Sequence, residues 1–113
     1  MLVVGEVLEV DGRLLTVNER DPAHVAAMRE FLIDLARSRV KSTYGELVDA
    51  AELPYLARGL GRLLNLLSED CDRRNEPSLA ALVVTKADSE VGDGYTGDAA
   101  GERARVYAYW ATR

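Results

Sequence analysis

The 113-residue chain has one cysteine, Cys71, and one histidine, His24. No disulfide can close within it, and a cysteine-based or His/Cys zinc cluster is excluded. Aromatic residues make up only 6%. Four of them (Tyr95, Tyr107, Tyr109 and Trp110) fall after residue 90, so the C-terminal segment is expected to dock on the core. No apolar run approaches the length of a membrane span. The first ten residues, MLVVGEVLEV, lack the basic start and cleavage site of a signal peptide, which points to the cytoplasm. Positive charge is also in deficit, with 14 Lys+Arg against 19 Asp+Glu, a net charge of −5. That balance argues against broad electrostatic attachment to nucleic acid and leaves room only for a local basic patch.

A hydrophobic fraction of 48% is ample for a core, and the length suits a single domain over 1–113. Val3, Val7 and Val10 precede Asp11-Gly12, and Leu14, Leu15 and Val17 follow it. Asp-Gly between such runs predicts a β-hairpin, because both turn positions tolerate positive φ. Asp21-Pro22 opens a first helix, with Asp21 as its cap. The helix runs to about Ser38 and buries Val25, Met28, Phe31, Leu32 and Leu35. Thr43 with Glu46 three residues later forms a capping box for a short second helix, about Tyr44 to Ala51. Leu53-Pro54 ends it, since a residue before proline avoids the α region.

A third helix is expected from Pro54 or Tyr55 to about Arg74, with Leu56, Leu60, Leu63, Leu64 and Leu67 as its apolar stripe. Gly59 and Gly61 within it each cost about 1 kcal/mol relative to alanine, which suggests a close approach or a kink. Leu79 to Thr85 reads as a buried strand, Ala87 to Gly101 as a glycine-rich loop, and Glu102 to Ala111 as a last helix. The order predicts an α+β domain. At its centre is a winged-helix-like helix-turn-helix, flanked by an N-terminal β-hairpin and a C-terminal helix.

The stretch Thr43-Tyr44-Gly45-Glu46-Leu47, followed by Pro54-Tyr55-Leu56-Ala57-Arg58-Gly59-Leu60-Gly61, resembles the DNA-binding domain of the alkylguanine DNA alkyltransferases and the alkyltransferase-like proteins. The fourteen residues from Tyr44 to Arg58 match that family's spacing. Gly92-Asp93-Gly94-Tyr95-Thr96-Gly97 is similar to a segment of its alkyl-binding loop. The resemblance implies that Tyr44 helps rotate a nucleotide's phosphate and that Arg58 enters the duplex from the minor groove. It further implies that Gly59 and Gly61 let the helix approach the groove. Where the family carries its Pro-Cys-His-Arg nucleophile motif, this chain has Ala80-Ala81-Leu82-Val83-Val84-Thr85. Alkyl transfer needs an activated thiolate, so the resemblance stops short of that chemistry.

The expected function is therefore non-catalytic binding of nucleic acid, double-stranded DNA in particular, with lesion sensing as the family-like variant. Arg62 lies one turn after Arg58, and Arg39 and Lys41 precede the second helix, so these would extend the contact. The bland alternative makes Tyr44 a packing residue and the arginines a solvated face. A different class of function also fits: a protein-interaction module (antitoxin, immunity or regulatory protein) presenting acidic residues such as Glu69, Asp70 and Asp72 to a basic partner. Asp88, Glu90, Asp93 and Asp98 lack the alternation of a calcium loop, and no metal or cofactor is expected. Cys71 is expected to be a half-buried structural thiol and His24 a surface residue.

Overall fold

The computed structural model describes residues 2–10, 12–54, 60–87, 90–91 and 97–113. Strands β1 (Val7–Val10) and β2 (Arg13–Thr16) pair antiparallel, with Val10 opposite Arg13 and Val7 opposite Thr16. Gly12 has φ +79°, as the Asp-Gly turn requires. The pairing extends past the strands, because the Gly5 N–H donates to the Val17 carbonyl and the Val17 N–H to that of Glu6. Leu8 and Val17 face the core, while Val7 and Leu14 face outward.

Helix α1 covers Asp21–Arg37 and buries Val25, Met28, Leu32 and Ala36. Phe31 and Leu35 flank that stripe and are only partly buried. Asp21 is the first helical residue rather than the cap; Arg20 is the N-cap and has no side-chain cap bond, and Asn18 satisfies the N–H groups at this end. Its Oδ1 accepts from the N–H groups of Arg20 at 3.0 Å and Asp21 at 3.1 Å. Asp21 returns the bond, accepting from the Asn18 N–H at 2.8 Å, and its side chain is buried.

Strand β3 (Ser42–Thr43) leads directly into helix α2 (Tyr44–Ala50). The capping box is present: Thr43 accepts from the Glu46 N–H, and Glu46 accepts from the Thr43 N–H. Helix α3 covers Gly61–Arg73, and its core face is Leu63, Leu66, Leu67 and Cys71, with Leu60 as N-cap. The start expected at Pro54 or Tyr55 borders residues 55–59, outside the described residues. Gly61 is thus the first helical residue rather than an interior one. A Cβ built on it meets nothing within 4 Å, so no close backbone approach accounts for it.

The strand expected over Leu79 to Thr85 is mostly something else. Leu79–Leu82 form a 3-10 helix, and only Val83–Val84 are extended, as β4. The buried apolar run was read correctly as buried, but its periodicity cannot separate a strand from a tight helical turn. β4 pairs in parallel with β3, Ser42 opposite Val83 and Thr43 opposite Val84. Among the described residues the segment after α3 therefore pairs back to the residues before α2. Helix α4 covers Ala99–Trp110, starting earlier than the expected Glu102 because Asp98 caps it through the Gly101 N–H at 3.0 Å.

α1 packs against α3, α4 and the 3-10 segment. Buried Arg103 of α4 donates to the Ala81 carbonyl at 2.9 Å and to Glu90 at 2.7 Å, tying the loop to the 3-10 turn. The radius of gyration, 13.1 Å, is that of a compact chain of this length. The architecture is α+β, with four α-helices among the described residues and a small N-terminal antiparallel hairpin. No described helix is long and apolar enough to cross a membrane.

Candidate nucleic-acid interface

A concavity of about 970 Å³ opens between the hairpin, the start of α2, the outer face of α3 and the beginning of α4. Tyr44, Gly61 and Arg62 line it together, so three of the residues singled out by sequence share one surface. Tyr44 is half-buried and packs against the core from the first turn of α2, whose orientation the Thr43–Glu46 box fixes. The same box holds the Glu46 carboxyl below its ordinary range, mainly through the Thr43 N–H. Arg58 and Gly59 lie outside the described residues, as does Tyr95.

Arg62 is held in place by a structural bond. Its guanidinium grips Asp21 with two hydrogen bonds, 2.8 Å to Oδ1 and 2.6 Å to Oδ2, and reaches the Thr16 carbonyl at 2.6 Å. The Asp21 side chain is fully buried and that of Arg62 about one-third exposed. Burial alone would raise the Asp21 carboxyl. The bonds from Arg62 and the Asn18 N–H outweigh it and hold the group below its ordinary value. Arg62 thus joins the hairpin, the start of α1 and the start of α3, and only the outer part of its side chain faces the cleft.

Arg39 and Lys41 do not line this cleft. Arg39 terminates α1 with φ 57°, and its guanidinium sits 5.3 Å from the centre of the Tyr107 ring. The sequence grouped them with Arg62 on charge alone, whereas the fold puts Arg39 beside α4 and Lys41 within reach of Glu90. The rest of the lining includes Glu69 and Asp72, which the sequence offered for a basic partner, with Asp98, and adds residues it did not single out: Arg13 and Arg105 as further cations and the carboxylates Glu9 and Glu102. Several of these acids already have partners. Glu69 takes Arg73, Asp98 caps α4, and Glu102 accepts from the Ser78 N–H at 2.6 Å and from Arg105. Glu69–Arg73, Asp98–Gly101 and Glu102–Arg105 are neighbours three or four residues apart, whereas the Ser78–Glu102 bond spans 24 residues and leaves no local mark in the sequence.

Ala80 and Val83 line the cleft where the resemblance would look for a nucleophile, and neither can serve as one. Cys71 lies on the core face of α3, fully buried rather than half-buried, and burial pushes its thiol up to about 11. A thiol so placed is essentially all protonated near neutral pH and unreactive. His24 is partly buried. Among the described residues no group of three or more His, Cys, Asp or Glu side chains is arranged to hold a metal ion. Comparison with family models, curated proteins and solved structures finds no match for the chain.

Proposed function

We propose that the protein is a non-catalytic, cytoplasmic nucleic-acid-binding protein of winged-helix-like type that presents the α2–α3 corner to double-stranded DNA. The observation that carries this reading is the shared cleft. Tyr44 at the capped start of α2 and Gly61 with Arg62 at the start of α3 open onto one concavity large enough for an extruded base. Tyr44 and Arg58 are the principal contacts, and the open space at Gly61 lets the backbone approach a groove. Lesion sensing is the family-like form of this function, with Ala80 and Val83 giving the cleft a wall that cannot react.

The test is duplex binding at low and near-physiological salt, wild type against Arg58→Ala and Tyr44→Ala. Both variants are expected to bind at least about tenfold more weakly, with wild-type affinity falling as salt rises. Absence of duplex binding at low salt overturns the reading. One observation favours a second reading, a module for a basic protein partner: the carboxylates Glu9, Glu69, Asp72, Asp98 and Glu102 outnumber Arg13, Arg62 and Arg105 around the cleft. Its signature is tight binding of a lysine-rich peptide, lost on Asp72→Asn, by a protein that ignores duplex DNA.

A further inference from the structure

We propose that the C-terminal ends of α1 and α4 form a second nucleic-acid surface that takes an unpaired strand. In a protein of net charge −5, three exposed cations, Arg37, Arg39 and Arg113, meet there, and a fourth, exposed Lys41, follows Arg39 by two residues. They interleave with aromatic rings. The Arg39 guanidinium stands 5.3 Å from the centre of the Tyr107 ring, that of Arg37 5.9 Å from Trp110, and that of Arg113 3.8 Å from Tyr109. The patch is continuous, since the Arg37 Nε donates to the Arg113 carbonyl at 2.8 Å and the Tyr109 and Trp110 rings meet edge to face at 4.9 Å.

A guanidinium stacked on a ring keeps its N–H edge directed outward, suited to a phosphate. Tyr107 and Tyr109 are only half-buried, leaving ring surface on which a base can stack. The indole Nε1 of Trp110 is buried without a hydrogen-bond partner among the described residues, an unused donor within the same cluster. Among the described residues, the acids that interact with these cations are Asp34, 3.6 Å from Arg37, and Glu90, which interacts with Lys41.

Cations alternating with exposed ring faces are the means by which unpaired strands are bound, because a duplex offers no free base face. None of the four cations lines the α2–α3 cleft, so this surface is separate from it. The inference shares with the proposed function only the class of ligand.

Fluorescence anisotropy with a labelled oligothymidine strand tests it. The double variant Arg39→Ala/Lys41→Ala is expected to bind roughly tenfold more weakly, with a shallower salt dependence. Tyr107→Ala should lose roughly 5- to 100-fold, the range for one lost stacking contact. Because Tyr107 also touches the core, thermal unfolding checks that this variant is folded, and the charge variant decides if it is not. Arg58→Ala should leave strand binding unchanged while weakening duplex binding. Strand affinity unaltered in Arg39→Ala/Lys41→Ala overturns the proposal, as does competition by polyglutamate equal to that by the strand. Duplex binding through Arg58 without strand binding refutes this surface alone. Strand binding without duplex binding refutes only the reading of the cleft.

Discussion

Removing the Arg62 guanidinium should destabilise the protein enough to read directly. Arg62→Ala leaves the fully buried Asp21 carboxylate with only its bond from the Asn18 N–H and strips a donor from the Thr16 carbonyl. Breaking a buried ion pair from one side costs about 3–5 kcal/mol. Arg62 is about one-third exposed, so water recovers part of the lost interaction; a loss of about 2–3 kcal/mol is the result. For a chain of this size that lowers the thermal midpoint by roughly 8–12 °C.

The pH dependence carries a second signature. The Asp21 carboxyl is held below its unfolded value, so its contribution is complete above about pH 4 and is lost as pH falls through the folded pKa. The gap between wild type and Arg62→Ala should therefore narrow in acid. Urea unfolding at neutral pH and in an acid series measures both effects. A difference below about 0.5 kcal/mol at neutral pH, the size of an ordinary surface substitution, would refute the reasoning, as would a gap that stays constant in acid. The same experiment guards the binding assays, since weaker DNA binding by Arg62→Ala is interpretable only where the variant is folded.

Other expectations follow from single contacts. Thr43→Ala removes the cap of α2 and should cost about 1 kcal/mol in denaturant unfolding, with no such loss for Ser in its place. Glu52 ends α2 at φ 53°, in the left-handed region, so Glu52→Gly should raise stability by about 0.5–1 kcal/mol, and a decrease would contradict the geometry. Cys71, buried with its thiol pushed up to about 11, should react with a thiol reagent only as fast as the protein opens, so its labelling should accelerate steeply with denaturant. Rapid labelling of the native protein would place Cys71 outside the core.

The elements legible in the sequence are those encoded by short-range chemistry. The Thr43–Glu46 box is found, and Gly12 of the expected turn is left-handed, with Asp11 outside the described residues. Of the leucine stripe expected for α3, Leu60, Leu63 and Leu67 are buried, Leu64 is only partly so, Leu56 lies outside the described residues, and buried Leu66 was not expected. The helix C-termini were legible too, since Ser38, Ala51 and Arg74, where the helices were expected to end, are the C-cap residues of α1, α2 and α3, whereas α4 begins three residues before the expected Glu102. α1, α2 and α3 all close with the same pair of backbone bonds, made by Arg39 and Val40, Glu52 and Leu53, and Asn75 and Glu76. The left-handed residue is Asn75 in α3, a usual sign of a stop, but Arg39 in α1 and Glu52 in α2, which are not. The 3-10 turn at Leu79–Leu82 was invisible because a wholly buried segment shows no periodicity. At the candidate site, Tyr44 and Gly61 were legible by spacing, and Arg62 was found but with its main duty unseen. Its partner Asp21 lies 41 residues away, and a lone arginine and a lone aspartate in a charged chain carry no mark of having found each other.

The two-residue parallel bridge between β3 and β4 bears on how the molecule assembles. It closes a loop of about forty residues, from Ser42 to Val84, that contains both α2 and α3. Closing such a loop costs about 3 kcal/mol in chain entropy, more than so narrow a bridge returns through its hydrogen bonds. What offsets it is the burial of Val83 and Val84, 1% and 3% exposed, each contributing about 1.5–3 kcal/mol only once the surrounding core exists. The bridge is therefore stable only within the assembled core, and α2 and α3 lie inside an enclosed span rather than in a detachable module. A peptide cut to the two helices would lack the strand that locks them, and a binding assay on it would describe a different object from the intact chain.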